Sequence, residues 1–96
     1  MTEFEMPGGA VLGLMPISGI KRLLGPALPD PSGAEGIPRT ELYLVVEDAV
    51  EYQDRALAAG ARKLSSVLPR DWGHAVGYVL DLEGHVIAFA HEIEAA

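Results

Sequence analysis

Cysteine is absent. That excludes disulfides, thiolate catalysis and cysteine-ligated zinc or iron–sulfur sites, and it agrees with a reducing cytoplasm, the expected compartment. Basic residues are scarce: 7 Lys and Arg stand against 14 Asp and Glu, a formal net charge of -7. Nucleic acid and anionic membranes reward clustered Lys and Arg, so neither is expected as a partner. No apolar run approaches the roughly 20 residues that cross a bilayer. The stretch Thr2-Glu3-Phe4-Glu5 is acidic and shows no apolar core of a secretory signal. Aromatics are few, and Trp72 is the single tryptophan.

What is present fits one compact domain of 96 residues, with 22% charged residues, an ordinary soluble composition. Residues 2–6 alternate polar and apolar, Pro7-Gly8-Gly9 supplies a turn, and residues 10–15 form a second apolar run; the pattern predicts a hairpin. Residues 16–39 are rich in Pro and Gly. Within them Ser18 is a candidate cap for a short helix to Leu24, stopped by Gly25-Pro26, and residues 27–38 read as a loop. Residues 41–46 are β-rich. Asp48 is a candidate N-cap for a helix to Ala59, with Val50, Leu57 and Ala61 on its buried face and Gly60 closing it. Residues 63–68 predict a short strand. Residues 75–80 and 85–91 predict two strands joined by Asp81-Leu82-Glu83-Gly84.

An internal repeat emerges when Gly9 is placed over Gly84. Residues 9–14 (GAVLGL) then lie over 84–89 (GHVIAF), small residue over small and aliphatic over large apolar, with Phe4 over Val79. The C-terminal unit has the order βαβββ, whereas the N-terminal unit shows only a closing hairpin.

The residues Leu42 to Asp48, Ala58-Ala59-Gly60-Ala61, Asp71-Trp72-Gly73 and Asp81-Leu82-Glu83-Gly84-His85 together resemble the second module of the vicinal-oxygen-chelate superfamily. That group comprises the glyoxalases, bleomycin-resistance proteins and extradiol dioxygenases. The last stretch is similar to the family's Asp-Pro-Asp-Gly-His turn, with Leu82 and Glu83 departing from it. Residues 4–16 resemble the last hairpin of a first module. The resemblance implies an α+β fold: a βαβββ module plus an N-terminal β-hairpin, a curved mixed sheet forming a cup, and the helix on its convex face. Residues 1–15 would be the first-module hairpin, 16–39 a linker and 40–93 the second module, in a chain shortened at its N-terminus relative to the family.

The resemblance also implies where a divalent metal would sit. Glu41 falls at the first-strand ligand position of the second module, Ala88 at its last-strand position, and Gly13 at the equivalent place in the first module. Alanine and glycine offer no side-chain donor, and a hard divalent ion takes three or more protein ligands. No family metal and no other cofactor is therefore expected, unless further donors come from elsewhere. Glu41 is the one remaining candidate ligand, and the candidate catalytic base in an apolar surrounding; it reads equally as a solvated carboxylate at a strand start.

Strand alternation places Tyr43 and Val45 with Glu41, and Val86, Ala88 and Ala90 with them, on the cup side; Leu42, Leu44, Val46, Ile87 and Phe89 take the helix side. Met15 joins the cup. Trp72 is a lid or a packing plug, and Tyr78 can face either way. His74 and His91 read as exposed, His85 as a turn residue, and Arg70 as a surface residue. The expected ligand site is Tyr43, Val45, Met15, Trp72, Val86 and Ala88. The leading functional expectation is a small-molecule-binding protein for a small, partly apolar or aromatic compound, more a binder than an enzyme. The alternative is a metal-dependent lyase, isomerase or dioxygenase completed by a second chain or a missing N-terminal segment. A partner-binding remnant with a filled cup comes third. Leu12 and Leu14 would face a helix the chain does not contain, so a homodimer is expected.

Overall fold

A computed structural model describes residues 2–93. It holds two compact units, one up to Glu35 and one from Gly36 onward. Among the described residues no helix is long and apolar enough to cross a membrane.

The first unit opens with β1 (Thr2–Glu5) and β2 (Val11–Leu14), an antiparallel pair. The turn Pro7–Gly9 is a short 3-10 segment in which Gly8 and Gly9 both take positive φ, a conformation that favours glycine. Helix α1 (Ile17–Leu24) follows. Ser18 does not cap it: the helix begins at Ile17 after Pro16, whose fixed extended backbone and free carbonyl start the first turn, with Ile20 N–H donating to it at 3.0 Å. Gly25 and Pro26 end it, as expected. The segment read as a loop carries two further 3-10 turns, Gly25–Ala27 and Pro31–Ala34. Asp30 organises the second: its carboxylate accepts from Ser32 N at 2.9 Å, from Ser32 Oγ at 2.7 Å and from Lys21 Nζ at 2.9 Å.

The second unit runs β3 (Glu41–Val45), α2 (Ala49–Ala58), β4 (Arg62–Pro69), β5 (His74–Leu80) and β6 (Val86–Glu92), the expected βαβββ order. The sheet order is β3-β6-β5-β4, with β3 parallel to β6 and the other pairs antiparallel. This mixed sheet requires a crossover from β3, and α2 provides it.

Helix α2 is closed at both ends. Asp48 Oδ1 accepts from Val50 N and Glu51 N, and His91 Nδ1 accepts from Ala49 N at 3.0 Å, so the first three orphan amides are satisfied. At the other end Gly60 takes φ +107° while Ala61 N–H returns to the Ala56 carbonyl. Val50 does not line the buried face; it is 49% exposed. The inward stripe is Ala49, Gln53, Ala56 and Leu57, and the polar Gln53 in its middle conceals it from a reading by hydrophobicity. His91 is likewise not an exposed terminal residue, because its ring is held against the start of α2.

The helix-side core comprises Ala49, Val79 and Phe89, with Leu44, Val46, Leu57, Val67 and Ile87 packed around them. The opposite face holds Val76, Ala88 and Ala90 beneath Tyr43 and Tyr78. The face assignments expected from alternation for β3 and β6 therefore hold, and Tyr78 takes the side away from α2.

The repeat is visible in hydrogen-bond register. Phe4 pairs with Leu12 and Glu3 with Gly13 in the first hairpin; 75 residues on, Val79 pairs with Ile87 and Tyr78 with Ala88. The turn bond Met6 N to Ala10 O, 2.8 Å, has its counterpart in Asp81 N to His85 O, 2.9 Å.

Candidate functional site

The sheet face of the second unit opposite α2 gathers most of the chemistry. Parallel pairing sets Glu41 beside Val86, Tyr43 beside Ala88 and Val45 beside Ala90, and paired residues point to the same side. Strand β5 adds His74, Val76 and Tyr78 to this face by alternation.

At its centre three side chains form a chain of hydrogen bonds. Trp72 Nε1 donates to Tyr43 Oη at 3.0 Å, and Tyr43 Oη lies 2.6 Å from His74 Nδ1. The Tyr43 and His74 rings are stacked, 5.8 Å between centroids and 27° between planes. Trp72, on the β4–β5 turn, is 53% exposed. It is neither a buried plug nor a free lid: its ring faces solvent while its N–H is anchored on Tyr43.

Tyr78 lies beside this trio. Burial, reinforced by the Glu41 carboxylate and opposed by Arg70, pushes its phenol above the usual value. The Arg70 guanidinium carbon sits 5.3 Å from the centre of the Tyr78 ring. Arg70 is not a surface residue. Its Nη2 donates to Ser65 Oγ at 2.9 Å and to the Val76 carbonyl at 2.8 Å, and its Nε is buried without a partner. Strand β4 shifts register between Lys63 and Ser65 and again between Ser65 and Leu68, and Arg70 holds that irregular stretch.

Of the expected site residues, Glu41, Tyr43, Val45, Val86 and Ala88 share one face. Glu41 and Val45 are exposed, Tyr43 and Val86 are half-buried, and Ala88 is fully buried. Ala88 is thus floor beneath the tyrosine rings and offers a ligand no surface of its own. Met15 belongs to the first unit, where it is 39% exposed. For His74 and Arg70 sequence reasoning weighs a ligand contact and prefers a surface role; the structure sets both half-buried on or beside this face. The sequence places His74 in a loop, whereas β5 begins there, paired with Glu92. The signal available was alternation: His74, Val76 and Tyr78 are spaced by two.

The donor chemistry at the positions implied for a family metal does not fit a divalent ion. Glu41 carries a carboxylate, Ala88 and Gly13 carry no donor, and among the described residues no three His, Asp or Glu side chains converge.

No family profile matches the sequence, and no curated protein matches it. A solved structure does. A glyoxalase-related enzyme from Fulvimarina pelagi superposes with a TM-score of 0.76 at 23% identity over 94% of this chain. The fold is glyoxalase-like. The chain spans 63% of the length of that protein. TioX from Micromonospora sp. ML1 is also similar, 32% identical over 58% of this chain and 44% of its own, with a TM-score of 0.47. In the glyoxalase-like fold described here, the Tyr43, Trp72 and His74 cluster lies on the sheet face that the crossover helix leaves uncovered.

Proposed function

We propose that this chain is a small-molecule-binding protein of the glyoxalase/bleomycin-resistance type that takes a small, partly aromatic compound against the sheet face bearing Tyr43 and Trp72, without a metal. One observation carries the reading. Tyr43, Trp72 and His74 are linked by hydrogen bonds, with Tyr43 packed on Ala88 and Ala90, which gives an ordered aromatic cluster with a small polar centre. Such clusters hold planar ligands at low entropic cost, because the side chains are ordered before binding. The lack of cysteine fits action in the cytoplasm.

The test uses the single tryptophan. Titration with a panel of small aromatic compounds should shift Trp72 emission saturably for at least one member, and Tyr43→Ala should abolish the shift. No saturable change across the panel, with no adduct in native mass spectrometry, would sink the reading.

A metal-dependent enzyme is the second reading. It is favoured by the description of the Fulvimarina pelagi neighbour as an enzyme and by the 63% share of its length that this chain covers, which leaves room for donors from elsewhere. A chelator-removable divalent ion, lost again in Glu41→Ala, would establish it. We also propose a homodimer. At matched hairpin positions Val79 and Phe89 are 0% and 7% exposed, whereas Phe4 and Leu14 are 49% and 47% exposed, an apolar face that a second copy would cover. Native mass spectrometry should give twice the chain mass.

A further inference from the structure

One end of the hydrogen-bond chain has a polarity fixed by its donor. Indole nitrogen only donates, so Tyr43 Oη accepts from Trp72. The 2.6 Å separation of Tyr43 Oη from His74 Nδ1 is short for an N–H···O bond, which favours the phenol as donor, the direction turning on the His74 tautomer. With the phenol as donor, Nδ1 accepts. A neutral imidazole that accepts at Nδ1 carries its proton on Nε2. Among the described residues of its own unit Nε2 has no hydrogen-bond partner, and it is not among their buried unpartnered atoms, of which Arg70 Nε is the single case. Tyr43 has spent its proton and Trp72 its only N–H. Among the described residues the trio thus has one donor without a partner, His74 Nε2–H.

We infer that the site selects planar, uncharged molecules carrying a carbonyl oxygen, with His74 Nε2–H as the donor to that oxygen and Tyr43 as the positioning residue that fixes the tautomer. This rests on the binding reading above. The Glu41 carboxylate on the same face, in a chain of net charge -7, opposes a carboxylate in the same place. A ligand whose polar group only donates would meet another donor at Nε2.

Two measurements test this on the full chain. The first needs no ligand: long-range 1H–15N correlation spectra at neutral pH should show His74 as the Nε2–H tautomer, and Tyr43→Phe should produce a mixture with the Nδ1–H form. A native Nδ1–H tautomer overturns the inference. The second compares acetophenone with ethylbenzene, which differ as C=O against CH2. The affinity ratio should favour acetophenone in the native chain, and His74→Phe should lower that ratio by about three- to tenfold, the range of one net hydrogen bond. An unchanged ratio in His74→Phe overturns the inference and leaves small-molecule binding standing. Failure of both compounds and of the wider aromatic panel to bind overturns the binding reading, and the selectivity inference with it.

Discussion

The side-chain amide of Gln53, buried under α2, donates to the main-chain carbonyl of Ser65 at 2.8 Å. Ser65 pairs with Tyr78 between two register shifts of β4 against β5, and the helix adds a hydrogen bond to its carbonyl there. The same amide approaches the Tyr78 carbonyl at 3.4 Å. Gln53→Leu removes the donor from a part-buried acceptor. We expect a loss of about 1–3 kcal/mol in denaturant unfolding; a loss under half a kcal/mol would show that water replaces the amide.

Gly77 occupies the space beneath that bond. A Cβ there would lie 2.7 Å from both Gln53 Nε2 and Val67 Cγ2, closer than atoms tolerate. Gly77→Ala should destabilise by about 1–3 kcal/mol, as overpacking does. In combination with Gln53→Ala the cost should be less than additive, because the same space is cleared.

His91 joins β6 to the first turn of α2. His91→Ala leaves the Ala49 amide without an acceptor in a half-buried place and should cost about 1 kcal/mol. His91→Asn, which retains an acceptor, should recover part of it. Asp48→Ala should cost about 0.5–2 kcal/mol by loss of the N-cap. Thermal unfolding followed by circular dichroism reads all three.

Asp30 should titrate unusually low. Its carboxylate accepts from the Ser32 hydroxyl first of all, then from Lys21 and the Ser32 amide, and its pKa falls from 3.8 to about 2. A depressed carboxylate contributes stability that is complete above its unfolded value and is lost as pH falls through the folded one. Any contribution of Asp30 should therefore be intact above about pH 4 and disappear toward pH 2. Carbon-13 NMR titration of the carboxyl should give the low midpoint, and Ser32→Ala should raise it more than Lys21→Ala.

The hairpin residues Phe4 and Leu14 offer a separate test of self-association. Leu14→Lys places a charge on the exposed apolar face and should shift a dimer toward monomer by about tenfold or more in dissociation constant. An unaltered dimer would place the interface elsewhere.

Much of this architecture is legible in residue order. Alternation in residues 41–46 and 86–90 assigns faces correctly because one side is uniformly large and apolar, and Asp48 and Gly60 bracket α2 by chemistry that depends only on neighbours in sequence. What escapes is long-range and polar. The stripe of α2 is hidden by Gln53, whose burial makes sense only beside a register slip in β4. His91 reads as a terminal residue until β6 lies against the start of α2. The trio at the site is assembled from β3, a turn and β5, with Tyr43 and His74 separated by 31 positions, so no local spacing announces it. Glu41 and Tyr43 could be placed on a face; the contact of Tyr43 with His74 could not.

The two hairpins share one bonding diagram, residue for residue, yet they differ in what lies over them. Val79 and Phe89 are sealed under α2, while their counterparts Phe4 and Leu14 stand half in water. Hydrogen bonds open only as often as their surroundings let them. The amides of residues 11–14 should therefore exchange with solvent deuterium far sooner than those of residues 86–89. Identical ladders would then keep two clocks, one set by the fraying of a bare ribbon and the other by the unfolding of a whole domain.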